Sequence, residues 1–239
     1  MQLIANKEDY RDKEALYVKV RDAEGRIISN AELAQLPYLP STSAHYEEWN
    51  IRAKNFEKLK TWLRAKANKA GGLTILEVGC GNGWLSHRLS QEGYSVTGLD
   101  LNLTELEQAE GTFAASDSLQ WMYADILKDK LPLHDIDVIL FAASIQYFAD
   151  VQLVLNSILP LLKHGGEVHL YDSIFYPADK VADAKNRTVA YYTQLGSPTM
   201  AGYYHHHSIA SLTAAGFKEM KRGLFAPRQV LQWWWLQKS

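Results

Sequence analysis

The sequence predicts an α/β fold, with a mostly parallel sheet covered by helices on both faces. Three observations carry this. From residue 74 onward, apolar runs of strand length alternate with helix-patterned segments, and alternating strand–helix units pair in parallel. The first run feeds "ILEVGCGNGWLS" (75–86), where glycines at every second position lead into a helix. The last two strands are joined by "FAPRQ" (225–229), which is too short for a crossover and implies an antiparallel pair at one edge.

Taken in order, the N-terminus "MQLIANKEDYRDKE" lacks an apolar core followed by a small-residue cleavage site, so no signal peptide is read. Residues 15–29, "ALYVKVRDAEGRIIS", read as two short strands turning at Gly25, a hairpin. Asn30 caps a short helix that Pro37 stops. The Pro/Ser-rich "PYLPSTSAHYEEWN" leads into a long helix. There Trp49, Phe56, Leu59 and Leu63 share one face, and Arg52, Lys54, Lys58, Lys60, Arg64 and Lys66 crowd the remainder until Gly71-Gly72 ends it. Strands are expected at 74–79, 94–99, 119–123, 136–142 and 167–172, and helices at 83–92, 104–115 and 150–163. Two further strands, near 217–224 and 229–237, close the chain. Residues 1–45 thus form a hairpin-and-linker appendage to a domain over 46–239, led by the helix at 46–70 and carrying an aromatic, polar insertion at 173–207 as a lid.

The bulk properties fit this plan. A chain of 239 residues and 27.1 kDa suits one sizeable domain with appendages. With 47% hydrophobic and 22% charged residues it is an ordinary globular composition. A net charge of −2 gives no global reason to expect nucleic acid or an anionic membrane as partner. The single cysteine, Cys80, excludes an internal disulfide, and the longest apolar run, Val138 to Ala143, is too short to span a bilayer. A soluble cytoplasmic protein is expected.

The glycine loop is not a regular dinucleotide fingerprint. Gly-x-Gly-x-x-Gly requires a third glycine where this chain has Trp84; the spacing is Gly79-x-Gly81-x-Gly83 instead. Glu77, inside the strand before the loop, would repel phosphate and favour a cationic ligand. S-adenosylmethionine carries a sulfonium and an ammonium, and its carboxylate suits the helix N-terminus after Gly83. Asp100 ends the second strand, where an acid can accept both ribose hydroxyls of either cofactor. Asp125 follows the third strand and can accept from an adenine amino group, with Leu101 and Ile126 packing on the ring faces.

Together, "ILEVGCGNGWLS", "VTGLDLN", "YADIL" and "DIDVILFAASIQYF" resemble the first four motifs of class I S-adenosylmethionine-dependent methyltransferases of the small-molecule type. "LVLNSILPLLKHGGEVHLYDS" resembles the following helix and fifth strand, so the resemblance covers about 71–172 strongly and "SIASLTAAGF" weakly. It implies a Rossmann-like, seven-stranded sheet in the order 3-2-1-4-5-7-6 with the last strand antiparallel. It also implies that Gly79, Cys80, Gly81 and Gly83 form the cofactor loop and that Glu77 sits near the methionine end. Asp100 would then hold the ribose and Asp125 the adenine, with Leu101 and Ile126 on the ring faces and Ala142 also bordering the cofactor.

The exit of the fourth strand narrows the acceptor. Ala143-Ser144-Ile145-Gln146-Tyr147 has neither the Pro-Pro turn of nucleic-acid amino-methyltransferases nor the Pro-Cys nucleophile of cytosine enzymes. Asp172 is followed by Ser173 rather than the Asn of metal-dependent catechol-type enzymes, so no metal site is expected. A small-molecule acceptor remains, to be aligned with the methyl group, stripped of water and relieved of a proton. Base candidates are His205, His206 and His207 in "GYYHHHS", with Tyr147. Consecutive histidines fan apart, so the triplet is not read as a chelate. Tyr176, Tyr191, Tyr192 and His45 are weaker candidates, and Trp49 reads as core rather than cover. Tyr176 and Lys180 match a dehydrogenase spacing without its glycine pattern. The basic helix face reads as solvated, and "WWWLQKS" as edge-strand packing with Trp234 opposite Trp233 and Trp235. The rivals are an NAD(P)-dependent oxidoreductase and a catalytically silent fold of the same kind.

Overall fold

The structure is a computed structural model that describes residues 1–220 and 231–239, the side chains at 69 and 70 excepted. Its strands are β1 (Gln2–Leu3), β2 (Thr74–Val78), β3 (Ser95–Asp100), β4 (Leu119–Tyr123), β5 (Ile136–Ala142), β6 (Leu162–Ser173), β7 (Lys218–Glu219) and β8 (Gln232–Gln237). Its helices are α1 (Arg11–Ala23), α2 (Asn30–Leu33), α3 (Tyr46–Ala70), α4 (Trp84–Gln91), α5 (Leu103–Thr112), α6 (Val151–Ile158), α7 (Val181–Gln194) and α8 (Ile209–Ala214). One sheet runs β1-β4-β3-β2-β5-β6-β8-β7 among the described residues. All neighbours are parallel except β6 with β8 and β7 with β8. The expected seven-strand order is therefore present, extended by β1 on the open edge of β4.

Two expectations are corrected. The hairpin at 15–29 does not form; Arg11–Ala23 is one helix. Its β-branched and aromatic residues suggest a strand, but helical spacing lets Val20 and the half-buried Leu16 and Tyr17 pack together against Tyr192 and Met200. The tryptophan-rich strand β8 is not the edge; β7 is. The expected strand residues 221–224 and 229–230, and the "FAPRQ" link at 225–229, lie outside the described residues.

The sheet is apolar on both faces because strand side chains alternate. On one face Ile75, Val138 and Leu140 meet Phe56, Leu59 and Leu63 of α3, Leu85 and Leu89 of α4 and Leu106 of α5. On the other, Leu76, Val78, Ile139 and Phe141 meet Val154, Leu155 and Ile158 of α6 and Leu212 of α8. The tryptophans of β8 divide as their alternation requires. Trp234 packs near Phe175, and Trp233 and Trp235 face Trp62 and His169. There Trp233 donates to His169 Nδ1 at 2.9 Å, and His169 Nε2 lies 3.0 Å from Glu167, which also takes Lys66 at 3.0 Å.

Four of the six basic residues named on α3 are paired with acids of the chain itself. Arg52 meets Glu48, Lys60 meets Glu57 and Glu92, Arg64 meets Glu92 and Lys66 meets Glu167. Residues 1–45 join the same core. Leu33 and Leu36 are buried in the α3–α4–α5 layer, α2 is capped by a reciprocal Ser29–Glu32 box, and Arg88 of α4 donates to the carbonyls of Ala34 and Leu36 at 2.9 and 2.7 Å.

Truncating a fully buried core leucine removes about 2–5 kcal/mol. Leu33→Ala is expected to lower global stability by about that amount. Circular dichroism and tryptophan fluorescence transitions in denaturant should stay coincident, because α2 shares the core of the sheet.

Candidate functional site

The turn after β2 is shaped by two glycines in particular. Gly79 has φ +74°, and a Cβ there would lie 2.5 Å from Ser144 Cβ, so the loop can pass the exit of β5 only without a side chain. Ser144 Oγ donates to Val78 O across this approach. Gly83 has φ +75°, and a Cβ there would collide with Trp121 and Ala109; this glycine seats α4 against the sheet and does not line the cavity. Gly81 N–H donates to Asp100 Oδ2 at 2.7 Å, and Asn102 N–H donates to Oδ1 at 2.8 Å. Asp100 thus ties the glycine loop to the end of β3. Burial raises its carboxyl above the usual range, against these backbone donors and Lys13.

Glu77 is the more perturbed acid. It is 2% exposed, and burial pushes its carboxyl up to about 8, opposed by Ser86, whose Oγ donates to Oε2 at 2.5 Å, and reinforced by Asp100. Asp125 is also buried: Oδ1 accepts from Leu127 N–H at 2.9 Å and Oδ2 accepts from Tyr10 Oη at 2.7 Å. Burial pushes the Cys80 thiol well up, which leaves it a poor nucleophile.

These groups line one cavity of about 860 Å³ at the carboxyl end of the sheet. Glu77, Gly79, Cys80, Gly81, Asp100, Leu101, Asp125, Ile126 and Ala142 border it, as do Tyr147, His206, Trp49, Tyr176, Tyr191 and Tyr192. His205, His207 and His45 do not. His205 donates its backbone N–H to Gln146 O, and the His207 ring is buried 3.2 Å from Ile145 O. His206 Nε2 lies 2.9 Å from Thr188 Oγ1; burial and then Arg187 hold the ring below the usual imidazole value, so it is neutral near pH 7 and able to accept a proton. Among the described residues no group of three His, Cys, Asp or Glu side chains is arranged to hold a metal ion.

Several lining residues escape the sequence reading. Tyr10, Lys13, Glu14, Tyr17, Arg21 and Glu24 fall three or four apart, so α1 lays one continuous face along the cavity. Strand β1 places it, because pairing Leu3 with Tyr123 brings Tyr10 beside Asp125. The signal is a polar helical period, hidden because the same residues read as strand alternation. Glu105, on the first turn of α5, faces the cavity with its carboxyl pushed up to about 7 by burial and then by Asp100. Asp172 ends β6 at φ +51°, with Oδ1 accepting from Asn55 at 2.6 Å and burial pushing the carboxyl up to about 6. A ladder of alternating charge joins α1 to it. Glu24 lies between Arg21 and Arg26 at 3.3 and 3.7 Å, Glu48 between Arg26 and Arg52 at 3.0 and 3.2 Å, and Arg52 reaches Asp172 at 3.8 Å.

Residues 75–166 match the family described as "Methyltransferase domain". An uncharacterized methyltransferase of Mycobacterium tuberculosis is 31% identical over 40% of this chain and 48% of its own length. A ubiquinone biosynthesis O-methyltransferase of Pseudomonas paraeruginosa is 30% identical over 60% of this chain and 62% of its own length. The chain thus spans about half to three fifths of these relatives. In fold it is similar to the magnesium protoporphyrin IX methyltransferase of Synechocystis with bound S-adenosylhomocysteine (TM-score 0.58, 18% identity, 92% of this chain and 99% of that one). It is also similar to the plantazolicin methyltransferase in complex with the same molecule (TM-score 0.56, 16% identity, 94% and 100%). Among the described residues no helix is long and apolar enough to cross a membrane.

The raised Glu77 carboxyl makes a signed prediction. Its folded value of about 8 lies above the unfolded carboxylate range, so its contribution to stability is full below the unfolded value and is lost as pH rises through about 8. Measured by urea denaturation, Glu77→Gln is expected to gain stability relative to wild type between pH 4.5 and 8 and to hold a constant advantage above that. A flat difference would show the carboxyl to be ionised throughout.

Proposed function

We propose that the chain carries a class I S-adenosylmethionine-dependent methyltransferase domain and moves a methyl group from S-adenosylmethionine to a small-molecule acceptor by in-line displacement, a reading supported by the family match over 75–166. The observation that carries this reading is the pairing of a side-chain-free loop, held by Asp100, with a buried carboxyl at Glu77 that only a cation would ionise comfortably. A dinucleotide suits neither Glu77 nor the buried Trp84 at the loop.

The donor supplies an electrophilic methyl group on a sulfonium; the protein supplies position and dryness. Asp100 keeps lone pairs for ribose hydroxyls while holding Gly81. Glu77 faces the ammonium and sulfonium end, and the free N–H groups at the start of α4 suit the carboxylate. Leu101 and Ile126 pack against the adenine, Asp125 keeps a lone pair for its amino group beside Tyr10, and Cys80 and Ala142 complete the walls. Gly83 acts through packing. At the acceptor end His206 takes the proton, with Tyr147 as a hydrogen-bonding neighbour; His205 and His207 fix the backbone around residues 145–146.

The acceptor is a small molecule rather than nucleic acid. The cavity is walled by side chains on the insertion at 173–207 and on α1, and most of the basic residues named on α3 are paired with acids. The relatives named for ubiquinone biosynthesis, magnesium protoporphyrin IX and plantazolicin support this class. A chain with one thiol and no disulfide suits the reducing cytoplasm.

Calorimetric titration tests the reading. S-adenosylmethionine should bind and NADPH should not; the reverse would sink it. Asp100→Ala should weaken S-adenosylmethionine binding by about 1.5–3 kcal/mol, the scale of a lost charged hydrogen bond. At pH 7 Glu77 is mostly protonated, so binding a cation beside it should release close to one proton. The binding enthalpy should then vary with the ionisation enthalpy of the buffer, and Glu77→Gln should abolish that slope.

A further inference from the structure

Arg21 lines the cavity with a guanidinium that only partly meets protein partners. Its Nη1 donates to Glu24 Oε2 at 3.3 Å. Among the described residues neither Nε, which is buried, nor Nη2 meets an acceptor. Nη2, unlike Nε, is reached by solvent, and its N–H groups are free to hold a carboxylate oxygen by a charge-assisted hydrogen bond. Glu24 is a divided counter-ion, since it also faces Arg26 at 3.7 Å and accepts from Tyr191 Oη at 2.7 Å.

The walls around this guanidinium are flat and aromatic. Its carbon lies 5.7 Å from the Tyr17 ring centre. Tyr17 meets Tyr147 edge-on at 5.8 Å, Tyr147 meets Tyr204 at 5.8 Å, and Tyr204 meets Tyr192 at 6.3 Å. All four rings line the cavity. Lys13 and Arg187 also line it with no carboxylate within ion-pair distance among the described residues. Of the acids acting on Arg21, Glu24 is shared with Arg26, and Glu105 takes a proton near neutral pH, which an arginine does not lose.

We propose that Arg21 anchors a carboxylate carried by a flat aromatic acceptor, received at Nη2 with the ring among Tyr17, Tyr147, Tyr192 and Tyr204. The word acceptor rests on the methyltransferase reading; the anchor does not.

The test compares three probes of one shape on the full chain: 4-hydroxybenzoate, 4-hydroxybenzamide and 4-hydroxybenzylamine. Dissociation constants are read by ligand-observed NMR, with and without saturating S-adenosylhomocysteine. The carboxylate should bind at least about tenfold more tightly than the neutral and cationic probes. Arg21→Gln should bring the three within about twofold while S-adenosylhomocysteine affinity stays unchanged. Equal binding of the three by wild type would overturn the proposal even if the variant does not fold, and so would a preference that survives in Arg21→Gln. Failure of S-adenosylhomocysteine to bind wild type would overturn the donor reading instead, and the comparison without it would still judge Arg21.

Discussion

The site depends on one close approach. The chain leaving β2 must cross the exit of β5 with its backbone almost touching Ser144, and only a residue with no Cβ in a left-handed conformation can do so. Gly79 meets that demand, Gly83 meets the matching one beneath Trp121, and Gly81 between them is held by Asp100. The crossing leaves the last residues of β2, Glu77 and Val78, buried at the border of a space that neighbouring strands do not fill. Glu77 stands at the edge of that space, buried by the fold yet unable to ionise easily within it. Loop, acid and strand ends are therefore one geometric unit.

What the sequence makes legible follows from how local the causes are. The strands at 119–123 and 136–142 match the observed ones because apolar runs of strand length bounded by turn residues are too short for a helix of the core. The glycine spacing and the acids at 77, 100 and 125 are readable because turn conformation and strand-end position are short-range properties. The helix at 11–23 is not readable that way. Its helical state is decided by Tyr192 and Met200, about 170–180 residues away, and its cavity-facing side is polar and aromatic rather than apolar. Glu105 and Asp172 look like ordinary helix and strand-end acids; only the tertiary fold desolvates them. The histidine triplet lies between these cases. Its sequence shows that the three rings cannot act together, but the turning of His206 alone into the cavity depends on how the backbone around Gln146 receives His205.

Two kinds of wall meet at the cavity. Towards β3 and β4 the lining is backbone and carboxylate, rigid and held by hydrogen bonds to the sheet. Towards α1 and α7 it is tyrosine and arginine, carried on helices that touch each other through the small cluster of Val20, Tyr192 and Met200. A rigid wall suits a ligand that does not vary, and a wall of large side chains on peripheral helices suits one that differs between related enzymes.

The charged ladder from Arg21 to Asp172 has a consequence for how such a chain can diverge. Its rungs alternate in sign across α1, α3 and β6, and three arginines balance three acids. Arg52 and Arg26 outweigh burial to hold Glu48 below the usual carboxylate range, so Glu48 stays ionised for both. At the enclosed end, where the Asp172 side chain is 2% exposed, losing Arg52 strands an uncompensated charge, which is worse than losing the pair. The six positions are therefore coupled in descent: substitutions at them are tolerated in pairs of opposite sign, and they should covary among relatives while the exposed lysines of α3 drift independently.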